Sequence, residues 1–426
     1  MLKSSIANTD HRLSLPSPRL PTEICDYILD YLWDDHKTLK VCSRVTREWL
    51  PRTRKHLFHS VRMFSNLRRV TFEDVILHSG DAVALCIRKL VMIWDLNEEV
   101  LLFPIPASMP RMLASLGRLE ELTLCVSTWD DCYFSTETIT WPVLPAVKAL
   151  YLQMLIVNDV VSLQQFICAC PSLSSLKLEI RRASKCDSSR THPPTVIPRS
   201  IVIETFQCDI RESGPILRWL LQGGLKLRIR RLAINVPGSI WVPVNFLRTG
   251  GAEGLLHACG ECLEYLIVGL SSQISPGSLD GQQGSVLAHN PNLVSVYVLD
   301  VFWSFPSGWP SLLSILADIQ PMHTRLQSID ITLLTTGESD ITRMLCEQLD
   351  AALARIVETH PQLIFTVWIT SNLDVPAPWL AEVVKVLLHG LVRVQVGRGR
   401  LCLMWLNGYG EIREFGRGRM PSWCSL

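Results

Sequence analysis

One apolar phrase, Leu-x-x-Leu-x-Leu or a near variant, returns nine times along the chain. The copies are Ile87-Leu90-Met92, Leu119-Leu122-Leu124, Val147-Leu150-Leu152, Leu173-Leu176-Leu178, Ile203-Phe206-Cys208, Ile229-Leu232-Ile234, Leu263-Leu266-Val268, Leu293-Val296-Val298 and Leu326-Ile329-Ile331. Their central residues follow one another at intervals of 32, 28, 26, 30, 26, 34, 30 and 33. A repeat of that length marks an array of supersecondary units that bury their apolar faces on their neighbours.

Within each phrase the last two apolar positions alternate, as a short strand requires, and the first sits at the turn leading into it. Between phrases lie helix-compatible runs over Asp159–Cys170, Ser213–Gln222, Leu279–Asn290 and Asp340–His360. Several stop at a proline just ahead of the next strand, as in Cys170-Pro171, Asn290-Pro291 and His360-Pro361, because a helix does not run easily through proline. The expected fold class is α/β, and the array resembles an irregular leucine-rich-repeat solenoid. An ordinary α/β domain would share the alternation of elements but not the recurrence of the phrase. No Asn or Cys ladder follows the strands at fixed spacing. The stretches Ala183–Ser200 and Ser271–Ser285, rich in Ser, Pro and Gly, read as loops. A helix-forming stretch is expected within Asn66–Cys86, a last helix over Pro376–Leu388 and a terminal strand over Leu401–Trp405.

If the array is a solenoid, the residues between the inward leucines face its concave side. Tyr151, Lys177, Glu179, Asp209, Tyr297 and Asp330 are the larger or charged ones. Their mixed character suits contact with a protein substrate.

The stretch from Leu20 to Phe58 has a different pattern. Ile24, Tyr27, Ile28, Tyr31 and Leu32 recur at helical spacing after Pro21, which fits the first helical position. Leu29 and Trp33 widen the apolar arc to roughly 240°. A short surface helix with that much apolar surface needs two burial partners, one within its own unit and one elsewhere. Asp34, Asp35 and His36 interrupt the pattern, and Thr38 is expected to cap a second helix. Leu39, Cys42, Val45 and Trp49 follow at near-helical spacing. Pro51 ends that helix or opens another short one carrying Leu57 and Phe58. Charge is divided too: five acidic residues lie in 23–35, and seven basic ones against Glu48 alone in 37–55.

This run resembles an F-box, the trihelical module that docks substrate receptors onto the adaptor of SCF-type (Skp–cullin–F-box) ubiquitin ligases, and more narrowly the large F-box families of mushroom-forming fungi. The resemblance rests on Leu20-Pro21, Glu23-Ile24, Ile28, Leu32, Leu39, Ser43, Val45 and Trp49. Arg44 and Thr46 stand where the family often has a leucine and a small residue. It implies that Leu20, Pro21, Ile24, Ile28, Leu32, Leu39, Val45 and Trp49 form or support a surface for a Skp-family adaptor and, through it, a cullin. The chain would then recruit a protein substrate for ubiquitin transfer by an associated conjugating enzyme. A scaffold that binds a partner without ubiquitinating it is the alternative. The organisation expected is a lead over 1–18, the F-box over 19–60, the array over 61–410 and a tail over 411–426.

Composition narrows the other classes. Net charge is +1 and 19% of residues are charged, which gives no bulk attraction to nucleic acid or anionic lipid. No apolar run reaches a membrane-spanning length, and no secretory signal is visible. Fourteen cysteines scatter without a framework and read as reduced, buried thiols, so an intracellular protein of cytoplasm or nucleus is expected. Cys259-Gly260-Glu261-Cys262 is the only Cys-x-x-Cys. It lacks the second pair that a zinc site needs, and it closes a helix where a redox motif would open one. Cys168 and Cys170 likewise read as helix-end residues. Arg228-Ile229-Arg230-Arg231, Arg398/Arg400 and Arg417/Arg419 are basic clusters that read as solvated faces or loop anchors rather than nucleic-acid contacts. No phosphate-binding loop, metalloprotease motif or nucleophile elbow occurs, so no catalytic residue, metal or cofactor is expected.

Overall fold

The computed structural model describes residues 20–64, 72–77, 81–93, 108–129, 140–157, 160–183, 201–209, 214–222, 226–235, 242–243, 252–270, 274–275, 285–302, 308–335, 343–371, 387, 389, 391, 400–406 and 412–414. Three short helices come first: α1 (Thr22–Tyr31), α2 (His36–Cys42) and α3 (Leu50–Leu57). Then follow β1 (Ser60–Met63), α4 (72–77), α5 (Asp81–Ala84), β2 (Lys89–Ile93), α6 (Met109–Ser115), β3 (Glu121–Trp129) and β4 (Ala149–Val157). The chain continues through α7 (Val160–Cys168), β5 (Ser175–Ala183), β6 (Val202–Asp209), α8 (Gly214–Gln222), β7 (Lys226–Asn235), β8 (Val242–Pro243), α9 (Ala252–Cys259), β9 (Tyr265–Gly269) and β10 (Ile274–Ser275). The last elements are β11 (Ser295–Phe302), α10 (Gly308–Asp318), β12 (Ser328–Thr335), α11 (Arg343–Thr359), β13 (Ile364–Ser371), β14 (Arg400–Leu406) and β15 (Ile412–Glu414).

The architecture is mixed α/β and solenoid-like. One sheet runs β1-β2-β3-β4-β5-β6-β7-β9-β11-β12-β13-β14-β15, and its end strands do not pair with each other, so it stays open. Twelve of its strands are parallel and β15 alone is antiparallel, to β14. β8 and β10 form a separate pair.

The repeated phrase explains this order. Leu90, Leu122, Leu150, Leu176, Phe206, Leu232, Leu266, Val296 and Ile329 stand side by side in register, followed by Phe365 and Leu401. All but the partly buried Leu401 are buried against the helix side of the sheet. Removing such a side chain from water is worth about 1.5–3 kcal/mol. A one-residue slip of any strand would turn its whole row outward, so the pattern fixes the register.

In seven of the nine phrases the first residue closes a turn; Ile203 and Ile229 lie within their strands instead. Ile87, Leu119, Val147, Leu173, Leu263, Leu293 and Leu326 each donate a backbone N–H to the carbonyl three residues earlier, and Leu363 repeats the arrangement. The residue at that earlier position carries a polar ladder in the later repeats. Asn290 Nδ2 donates to Leu256 O and Gly260 O, both at 2.9 Å. His323 Nε2 donates to Leu287 O and His360 Nε2 donates to His323 O, both at 3.0 Å. The ladder precedes the strands, on the side opposite to where a leucine-rich-repeat reading looks for it.

The helical runs hold in three places, as α7, α8 and α11. Within Leu279–Asn290 the described part forms only a 3-10 turn, Val286–His289. Within Asn66–Cys86 two short helices, α4 and α5, are described. β14 matches the strand expected over Leu401–Trp405, but it is not terminal, because β15 follows and pairs with it. The two loop stretches and Pro376–Leu388 fall largely outside the described residues, and the lead over 1–18 and the end of the tail, 416–426, fall wholly outside them. No described helix is long and apolar enough to cross a membrane.

Candidate functional site

Two surfaces are candidates: the face of the N-terminal helices and the open face of the sheet. Pro21 is the N-cap of α1, one position ahead of the expected place, and its carbonyl accepts from Ile24 N at 3.0 Å and Cys25 N at 3.2 Å. Cys25 and Leu29 turn inward and are buried with Leu39 of α2 and Thr53 of α3. Thr53 Oγ1 donates to Trp49 O and Leu50 O, which keeps its hydroxyl satisfied inside the unit.

Asp30 ties α1 to α3. Its carboxylate accepts from Arg52 Nε at 2.5 Å, from Arg52 Nη2 and from His56 Nε2 at 2.7 Å. The Arg52 hydrogen bonds in the first place, with His56 assisting against partial desolvation, hold its pKa down to about 2.

The cap of α2 is Asp35 rather than Thr38. Its side chain accepts from the N–H groups of Lys37 and Thr38 and from Thr38 Oγ1, at 3.1, 3.0 and 2.6 Å. Those bonds to the ionised form lower its pKa. α2 also ends early. Ser43 Oγ donates to Lys40 O at 2.7 Å and the chain turns, so Val45 and Trp49 do not continue the helix. Pro51 opens α3.

With the interior filled by Cys25, Leu29 and Leu39, the rest of the apolar arc of α1 is left outside. Ile24, Tyr27, Ile28 and Tyr31 lie within about 100° of one another on α1. Their exposure runs from 43% at Ile28 to 80% at Tyr31. Leu20, Trp33, Val41 and Val45 are exposed as well. Grouped apolar exposure on one helix face is the feature that candidate interaction surfaces present. Of the residues expected to meet an adaptor, Leu20, Pro21, Ile24, Ile28 and Val45 are exposed, Leu32 and Trp49 are half-buried, and Leu39 is sealed inside as support. Val41 on α2 is an exposed apolar residue that the helical spacing of Leu39, Cys42, Val45 and Trp49 does not single out.

α3 feeds directly into β1. His59 O accepts from the N–H groups of Arg88 and Lys89 at 3.0 and 2.9 Å, and Phe58 packs against the main core. The helical unit is thereby fastened to the sheet edge.

The open face divides by chemistry. On β4 and β5, Lys177 Nζ lies 4.4 Å over the Tyr151 ring and 3.1 Å from Glu179 Oε1, while Tyr151 OH donates to Glu179 Oε2 at 2.7 Å. Lys89 pairs with Glu121 at 2.5 Å. The expected contact residues Tyr151, Lys177 and Glu179 thus form one half-exposed network. Asp209 lies beside Asn235 in register on β6 and β7.

On β11 to β14 the same face closes. Tyr297, Trp368 and Met404 pack as a second apolar cluster with Ile267 and Leu299 against it. Tyr297 and Asp330, expected at the contact surface, are 5% and 4% exposed and are removed from it. The Tyr297 hydroxyl lies 2.9 Å from Thr332 Oγ1, and Trp368 Nε1 donates to Asp330 Oδ1 at 3.4 Å. Burial raises the Asp330 pKa, with hydrogen bonds from Thr366, Trp368 and Ser328 working the other way. Alternation reveals which face a residue takes, but not whether that face is covered.

The cysteine motif has a structural explanation. Gly260 adopts φ +51° at the turn into β9, a left-handed conformation that glycine takes without strain. Cys259 is buried, and desolvation, then the neighbouring Cys262, pushes its thiol up to about 12. It offers no thiolate at neutral pH. Burial likewise pushes Cys170 up to about 12 and Cys168 to about 11. Among the described residues no group of three His, Cys, Asp or Glu is placed to hold a metal ion.

No protein-family model matches the chain, and no curated protein matches its sequence.

Proposed function

We propose that the chain is a substrate-recognition subunit of an SCF-type ubiquitin ligase. Its N-terminal helices dock on a Skp-family adaptor, and through it a cullin, while the sheet array holds a target protein. The observation that carries this reading is the exposed apolar face of α1 with its flanks: Leu20, Ile24, Tyr27, Ile28, Tyr31 and Trp33. A unit this small has filled its interior with Cys25, Leu29 and Leu39 and still presents that surface outward. Such a receptor supplies proximity and orientation rather than reacting groups. The short connection from α3 to β1 suits that role, because a fastened joint holds a bound target in a fixed direction.

The test is recovery of the adaptor with the full chain. Losing one buried anchor of an interface costs about 2 kcal/mol or more, roughly thirtyfold in affinity. Ile28→Asp is expected to abolish co-purification of a Skp-family adaptor, whereas Lys177→Ala leaves it intact. Undiminished recovery with the Ile28 variant overturns the reading. Lifetimes of array-bound proteins, compared with and without residues 20–58, separate a ligase receptor from a scaffold. A receptor shortens them and a scaffold leaves them unchanged.

A further inference from the structure

We infer that Arg231, with Arg228 and Arg230, receives an acidic side chain of the protein held by the array. The inference rests on the reading that the array holds a protein, and it assigns the chemistry of one contact.

The pairing of β6 with β7 supplies the geometry. Ile203 pairs with Leu227, yet Thr205 pairs with Arg231, so β7 carries two residues more than β6 across that interval. The bulge holds Arg228, Ile229 and Arg230. A bulge kinks its strand and re-aims side chains. Here Ile229 stays fully buried while Arg228, Arg230 and Arg231 are all exposed.

The charged groups nearby are unequally satisfied. Glu179 is matched by Lys177 and Tyr151, Glu121 by Lys89, and Glu120 by both Arg88 and Lys148. None of these three arginines makes an ion pair or a side-chain hydrogen bond among the described residues, although Glu204 lies on β6 and Glu264 immediately precedes β9. Arg231 has one partner, the Tyr265 ring, with its guanidinium carbon 5.3 Å from the centroid. The contrast with Lys177 is informative. Both cations lie over a tyrosine of the adjacent strand, but Lys177 is already neutralised and Arg231 is not.

A guanidinium held over an aromatic ring has lost much of its rotamer freedom yet keeps its N–H edge available. That edge matches a carboxylate through two parallel hydrogen bonds. Thr205, its neighbour on the other side in the same outward row, is uncharged and adds no competing charge.

Selection of displayed random peptides on the full-length protein tests this. Wild-type protein is expected to enrich Asp- and Glu-containing peptides. A selected peptide should lose roughly tenfold in affinity for Arg231→Gln, the scale of one well-formed charged contact. Arg231→Lys restores charge without the fork and should recover part of the loss. Tyr265→Leu, which removes the platform but no charge, should weaken binding while leaving the fold intact by circular dichroism. Replacing the peptide's Glu by Gln should abolish the difference between wild type and Arg231→Gln.

Absence of acidic enrichment, or unchanged affinity with Arg231→Gln, overturns the inference. So does binding of a single-stranded RNA that depends on Arg231 where acidic peptides do not bind, since the patch would then serve phosphates of nucleic acid. Ile28→Asp should leave peptide selection untouched. If that variant loses the adaptor and no acidic preference exists, the receptor reading stands and this inference falls. If acidic peptides bind and the adaptor never does, the reverse holds.

Discussion

Replacing Asn290 by alanine should weaken the array by about 1–3 kcal/mol, and the estimate follows from three atoms. Asn290 is fully buried and its Nδ2 donates to two carbonyls, Leu256 O and Gly260 O, at 2.9 Å each. Each hydrogen bond is worth about 0.5–1.5 kcal/mol net, and a buried acceptor left unpaired costs about 1–3 kcal/mol. Against this, Asn290 Oδ1 is itself buried without a partner, so alanine also removes one unsatisfied atom, and Gly260 O keeps the N–H of Leu263. The loss of two hydrogen bonds outweighs the relief of one unpaired atom. Rotating the amide would bring Oδ1 against both carbonyls, so the orientation is fixed by its acceptors. Asn292 serves as the control: it is half-buried and donates once, to Glu261 O, in an exposed setting, so Asn292→Ala should shift stability by less than about 0.5 kcal/mol. Urea titration followed by tryptophan fluorescence, with hydrogen exchange in β9 and β11, reads both variants. Faster exchange confined to those strands and a lower midpoint are expected for Asn290→Ala. Equal midpoints for the two variants would refute the ladder as a structural element.

Two further outcomes follow. The Asp30 carboxylate has a folded pKa of about 2 against an ordinary value of 3.8, so its contribution is present above the unfolded value and is lost as pH falls through the folded one. The N-terminal unit should therefore weaken between about pH 4 and 2, and Asp30→Asn should flatten that dependence in an acid titration monitored by hydrogen exchange of α1; an unchanged slope would contradict the tie. Alkylation by iodoacetamide at neutral pH, read by mass spectrometry, should label the exposed Cys262 and spare Cys259 and Cys170, whose thiols burial pushes up to about 12. Rapid labelling of Cys259 would reopen a redox role.

Much of the sheet was legible because a strand covered on one face by helices must keep an apolar row in register, and the central residues from Leu90 to Ile329 supply it in nine successive strands. The polar ladder was not legible. Asn290, His323 and His360 share a geometric position and a capacity to reach a neighbouring turn, but Cys170 and Gly260 occupy the same position without that chemistry. The helical unit was read correctly in outline and misread locally. Asp35 and Thr38 are both competent caps, and the carboxylate prevails by accepting three bonds. Ser43 diverts a carbonyl and ends α2, so Val45 falls outside the helix that its spacing suggested. On the open face, Tyr151, Lys177 and Glu179 take the surface their alternation implied, whereas Tyr297 and Asp330 share that alternation and are buried. The arginine bulge at 228–231 looked like an ordinary solvated run, because neither the two-residue mismatch with β6 nor the lack of a carboxylate partner shows in one strand's sequence.

The central claim is that apolar surface on α1, left over once the helical unit has filled its own interior, belongs to another subunit. Calorimetric titration of the full-length protein with a purified Skp-family adaptor tests it most directly. The account predicts saturable one-to-one binding with a negative heat-capacity change, as apolar burial requires, and at least roughly thirtyfold weaker binding for Ile28→Asp. No measurable heat with the wild-type protein, or equal affinity for the variant, would contradict it.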